Sequence, residues 1–191
     1  MSNTIDKILH KIGSTLAKNH SKKPYSTFAN ICKYLWWRYE NFNYDFRTNG
    51  ESFVIKSISP FLDSSSQVFD VGANHGQWSQ EFRTHTTDPT IHIFEISPIN
   101  YAQLVKNLNA DPKTKIVNLG MGNSSGNIDF YHNKSNSSNS KFINDERLPQ
   151  NNIVHMKLEV TSIDEYCDLN KINHISYLKI DTEGMDYDVL L

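Results

Sequence analysis

VFDVGANHG, residues 68–76, decides the fold of this chain. Val68, Phe69 and Val71 read as a short buried strand, and the apolar pattern stops at Gly72, where a turn begins. Gly72 and Gly76 bracket a loop whose backbone can turn tightly and approach a ligand, and the helix expected from Gln77 to about Thr84 offers it unpaired N–H groups. A dinucleotide fingerprint would read G-x-G-x-x-G. Here three residues separate the two glycines and Asp70 stands two residues before the first, which favours S-adenosylmethionine over a nicotinamide cofactor. A tight strand-to-helix turn with no ligand is the alternative, so the reading depends on the strands downstream.

Support lies one strand further on. IHIFE, residues 91–95, is a second apolar strand ending in an acid, and Pro98 opens a helical pattern running to about Leu108. In a doubly wound sheet, an acid at the tip of the second strand sits beside the first loop and can accept both hydroxyls of a ribose. Glu95 is the candidate, and on that reading Glu95→Ala weakens cofactor binding while the melting temperature stays nearly unchanged. KIVNL at 115–119, residues 156–160 and ISYLKI at 175–180 read as further short strands, and residues 163–169 as a short helix. Strands alternating with helices at this spacing predict an α/β fold with a Rossmann-like, doubly wound, mostly parallel sheet. Ile128 and Phe130 suggest an extra short strand, and NKSNSSNS at 133–140 a polar loop suited to a substrate lid.

The chain has 191 residues, enough for one substantial core and an appendage. Its net charge of −2 carries no nucleic-acid signature, but the total conceals an asymmetry. Residues 1–40 hold seven Lys/Arg against two Asp/Glu, a net of +5; residues 41–191 hold twelve against nineteen, a net of −7. Cys32 and Cys167 are the two cysteines, with no Cys/His spacing that indicates zinc or a disulfide framework. Without a long apolar run or a signal-peptide pattern, the cytoplasm is the expected compartment.

Residues 1–43 read as a basic helical appendage and 44–191 as the ligand-binding domain. Ile5, Ile8, Leu9, Ile12 and Leu16 recur at helical spacing, and Phe28, Ile31, Cys32, Leu35, Trp36 and Tyr39 form a second stripe beside Trp37 and Arg38. A helical hairpin packed on the domain is the expectation; peripheral contact of residues 1–40 with an anionic membrane surface is the alternative.

Taken in series, Asn49-Gly50-Glu51, VFDVGANHG at 68–76, IFEISP at 93–98, VNLGMGNSSGNIDFY at 117–131, Thr161-Ser162-Ile163-Asp164 and LKIDTEGMD at 178–186 resemble the FkbM family of S-adenosylmethionine-dependent methyltransferases. The match runs from about residue 44 to the end. It implies a class I methyltransferase fold, with the cofactor's methionine over Gly72–Gly76 and its ribose on Glu95. It also implies O-methylation, often of a sugar, polysaccharide or natural-product hydroxyl. Asp70, Gly72, Ala73, Asn74, His75, Gly76, Glu95 and Ile96 are the candidate cofactor residues. One departure is Asp186, where the family commonly has Glu. Another is length: the family's sheet continues past the helix expected near Gly184, whereas this sequence stops at Leu191. That predicts a truncated product, a fragment, or a chain completed by self-association through an exposed sheet edge.

Methyl transfer to a hydroxyl gains from a general base or a metal. Asp181 and Glu183, after the 175–180 strand, are the candidates for base, metal ligand or acceptor-positioning residue. No metal-ligand pattern is present, although a divalent metal is compatible with the chemistry. Their structural alternative is that Asp181 caps a helix and Glu183 lies in its first turn. Among the histidines, His75 sits in the cofactor loop, His92 reads as structural, and His155 and His174 have no evident partner. Asn123 and the loop to Ser140 are expected near adenine or acceptor. Two competing functions remain open: a cofactor-binding remnant without turnover, and a nicotinamide-dependent oxidoreductase.

Overall fold

Short, largely apolar runs build four short parallel strands into one sheet: β1 (Gln67–Val71), β2 (Thr90–Phe94), β3 (Thr114–Val117) and β7 (Tyr177–Ile180), in the order β3-β2-β1-β7. This computed structural model describes residues 2–40, 46–108, 111–133, 153–182 and 184–191, in two compact units, residues 1–52 and 53–191. The sheet belongs to the second unit.

Because successive strand residues face opposite sides, each strand serves two layers. Phe69, Val71 and Phe94, with half-buried Leu178 and Ile180, pack against Tyr166 and Cys167 of helix α6 (Ile163–Asn170). On the other face, helix α4 (Gln77–His85) stacks Trp78 on Tyr177 with centroids 5.8 Å apart and donates from Ser79 to Asp70. Helices therefore cover both faces, and the expected doubly wound α/β architecture is present. Helix α5 (Pro98–Asn107) follows β2, capped by Ser97, whose side chain accepts from Asn100 N–H. Among the described residues β7 pairs with β1 alone.

A second sheet was not foreseen. β4 (Gly120–Met121), β5 (Gly126–Asn133) and β6 (Ile153–Thr161) lie in the order β4-β6-β5, with β5 and β6 antiparallel over eight pairs. The sequence pattern marked 128–130 and 156–160, the apolar centres of strands that are longer because their polar neighbours face solvent. His155, without an evident partner in sequence, stacks on its cross-strand neighbour Tyr131 and lies 2.7 Å from Asp129. The loop expected at 133–140 falls, beyond Asn133, outside the described residues.

In the first unit, helices α1 (Ser2–Lys18) and α2 (Lys23–Tyr39) form a hairpin joined by a short turn. Helix α3 (Glu51–Ile58), which from Phe53 onward belongs to the second unit, opens after the Asn49-Gly50 turn, where Asn49 Oδ1 accepts from Glu51 N–H at 3.0 Å, and buries Ile55.

Candidate functional site

The site forms where strand order reverses, between β1 and β7, at the carboxyl ends of the strands. β1 ends in a loop held from below: the N–H groups of Gly72 and Ala73 both donate to Phe94 C=O at 3.0 Å. Gly72 has φ 75° and Gly76 φ 81°, conformations that favour glycine. The space a Cβ would need is filled by protein rather than left for a ligand. At Gly72 it would meet Asp181 C=O at 1.9 Å, and at Gly76 the Leu104 side chain at 2.5 Å. These glycines therefore let β1, β7 and α5 close on one another.

Glu95 is the hinge of the site. It is 5% exposed; Oε2 accepts from Asn74 N–H at 2.7 Å and Oε1 from Ser97 N–H at 2.9 Å, with Asn100 Nδ2 at 3.5 Å. Burial raises its pKa above the ordinary Glu value, against the pull of those hydrogen bonds, and the Asp70 charge adds to the rise. A carboxylate accepts about four hydrogen bonds. Three are used, so Glu95 retains acceptor capacity toward the cleft. Glu95→Ala would also strand two backbone N–H groups, so the expectation of an unchanged melting temperature is withdrawn.

A narrow cleft of about 70 Å³ opens above these residues. Val71, Phe94, Ile96, Leu119, Met121 and Phe130 give it apolar walls, and Asn74, Glu95, Asn100, Asp181 and Thr182 its polar groups. Of the sequence candidates, Gly72, Asn74, Glu95, Ile96 and Asp181 line it. Asp70, Ala73, His75 and Gly76 do not. Asp70 is fully buried beneath the loop, and His75 borders a separate depression with Gln77, Gln80 and Asn107. Asn123 is exposed and also outside the lining. Leu119, Met121 and Phe130 come from the second sheet and its approach, so the alternation of the parallel strands gave no signal for them.

Lys179 lies beside the β1 loop and Asp181 and was not singled out in the sequence. It pairs with Asp70 in the β1–β7 register, so the two side chains share a face. Its Nζ lies 3.1 Å from Asp70 Oδ1, an ion pair without hydrogen-bond geometry, and 3.4 Å from Gly72 C=O. It also stands 3.8 Å from Asp181 Oδ2. Asp70 Oδ2 accepts from Ser79 O–H at 2.6 Å. The period of two in LKI, with a lysine in a buried-reading strand, was the available signal.

Asp181 is not a helix cap. Helix α7 (Asp186–Val189) begins five residues later behind Met185, and its Asp186 Oδ1 accepts from Thr182 N–H at 2.7 Å and Thr182 O–H at 2.6 Å. The Asp181 side chain is 71% exposed and accessible to an incoming group. Glu183 lies outside the described residues. Among those residues no cluster of three or more His, Cys, Asp or Glu is arranged to hold a metal ion.

His92 is structural, as its place in an alternating strand suggested: Nδ1 lies 2.9 Å from Tyr166 OH and Nε2 2.9 Å from Gln67 Oε1. Burial pushes its pKa down to about 4 and that of Tyr166 up to about 12.

A parallel sheet covered on both faces, with a cleft at its switch point closed by a buried acid, defines a Rossmann-like α/β protein. The methyltransferase FkbM domain model matches residues 70–191, and the chain belongs to that family. Among solved structures it is similar to methyltransferase FkbM from Methylobacillus flagellatus KT, at 17% identity and a TM-score of 0.44 over 68% of this chain. The chain spans 29% of the length of that one. At this TM-score the likeness adds no weight to the family match. No curated protein matches the chain.

Proposed function

We propose that the cleft binds S-adenosylmethionine and that the chain transfers its methyl group to a hydroxyl of a sugar, polysaccharide or small natural product. The observation carrying this reading is Glu95, a buried acid on the cleft wall that fastens the β1 loop while keeping an unused acceptor position. The lining has the composition such a cofactor needs: apolar side chains that include Ile96, Leu119 and Phe130, with the acceptors of Glu95 and Asp181 among its polar groups. Bound cofactor would supply an electrophilic methyl, whose bond to sulfur breaks as a bond to the acceptor oxygen forms. The chain's own work is alignment of the acceptor and removal of its proton. Asp181 stands at the cleft rim with an accessible carboxylate and takes the role of base or acceptor-positioning group.

The test is transfer of labelled methyl to a panel of sugars and hydroxylated natural products. Asp181→Asn should lower kcat by roughly a hundredfold or more while leaving S-adenosylhomocysteine affinity within a few-fold. An unchanged rate removes Asp181 from the chemistry. Binding without transfer to any acceptor would favour a cofactor-holding module instead.

A further inference from the structure

Residues 1–40 present a surface the cleft does not use. Along α1, Ile5, Ile8 and Leu9 are 54–60% exposed, and along α2, Ile31, Leu35 and Trp36 are 51–60% exposed. Helix α2 has no buried residue. The two helices meet near their turn, leaving an apolar groove between Ile8, Ile12, Leu16, Tyr25 and Phe28. Contiguous apolar surface on this scale marks a contact site. Lys7, Lys11 and Lys18 follow one another at steps of four and seven, which places them on one ridge of the polar face of α1, largely away from the apolar stripe. Tyr34, Trp36, Trp37 and Tyr39 add amphipathic rings, and Lys33 Nζ sits 4.5 Å from the Trp37 ring centre. Rings with an apolar body and a polar edge suit a boundary between water and hydrocarbon.

We propose that this hairpin docks on an anionic lipid surface, lying along it rather than crossing it. Charge decides for lipid: residues 1–40 carry +5 and the remainder −7, so attraction to a negative surface is concentrated in the same helices that expose the apolar stripes. Among the described residues no helix is long and apolar enough to cross a membrane, and each of the two spans 17 residues with lysines throughout. A basic ridge, an apolar stripe and interfacial aromatics are the requirements of an in-plane helix.

The test is flotation of the full chain with phosphatidylcholine vesicles that contain or lack phosphatidylserine. The chain should float with the anionic vesicles, shift its tryptophan emission to the blue, and be released by salt. The triple variant Lys7→Gln, Lys11→Gln, Lys18→Gln should bind roughly a hundredfold more weakly, about fivefold per lysine. Trp36→Glu should abolish flotation with helical circular dichroism retained; if that variant unfolds, the lysine variant carries the test. Equal binding to both vesicle types overturns the assignment to an anionic surface. Absence from both overturns the proposal outright. Elution as a dimer that Trp36→Glu separates would then give the face to a second copy, and elution as a monomer to the chain itself.

Discussion

The two faces of the central sheet bury polar groups in opposite ways. On the α4 face, Asp70 and Lys179 are a charged pair, adjacent in the β1–β7 register, with Asp70 fully buried. On the α6 face, His92 is equally buried but neutral, bracketed by Tyr166 and Gln67. A buried charge needs its partner present at all times, whereas a buried neutral imidazole needs only the absence of a proton. The charged pair reaches the Gly72 carbonyl and Asp181, so its cost is spent where the β1 loop and cleft rim must be held. The neutral network lies in the core, away from the cleft lining.

The sharpest way to break this contrast is Lys179→Met, which leaves the Asp70 carboxylate buried and uncompensated. Chemical denaturation should show a loss of about 3–5 kcal/mol, and adding Asp70→Asn should recover part of it. If the double variant is no better than the single one, Lys179 stabilises by packing rather than by charge.

Acid should break the other face. With a folded pKa of about 4, below the ordinary His value, His92 favours the native state above about pH 6.5. That contribution, on the order of 3 kcal/mol, is lost as pH falls from about 6.5 toward 4. Glu95, whose pKa is raised, acts with the opposite sign: its contribution is lost as pH rises through its folded pKa. Comparing denaturation across that window with His92→Phe isolates the histidine. Unchanged pH dependence in the variant would contradict a neutral buried His92.

Glu95 lies between the two cases, and Glu95→Ala sharpens the distinction between scaffold and site. Removing the acceptor of two N–H groups should cost on the order of 2 kcal/mol in stability and also weaken cofactor binding. Loss of binding with no change in the melting temperature would show that the Asn74 and Ser97 bonds contribute nothing.

The parallel strands and their helices were legible because burial on both faces writes near-continuous apolar runs, as in VFDV and IHIF. Glu95 could be found as well, from its position after β2. What it does could not: its bonds run to backbone N–H groups, and backbone partners leave no mark on residue identity. The same holds for Gly72 and Gly76, whose missing Cβ atoms make room for Asp181 C=O and Leu104. Asp181 looked like a cap because acids at strand tips and at helix N-termini share residue types, and the start of α7 at Asp186, behind Met185, removes the cap. β5 and β6 were half seen, since an antiparallel pair with solvent on one side dilutes its apolar signal.

The most direct test of the central claim, that the cleft at the β1/β7 switch point holds S-adenosylmethionine, is calorimetric titration of the folded 191-residue chain with S-adenosylhomocysteine beside a nicotinamide dinucleotide. Saturable one-site binding of S-adenosylhomocysteine with no heat from the dinucleotide is the predicted result. A folded chain that binds neither, or that prefers the dinucleotide, would contradict it.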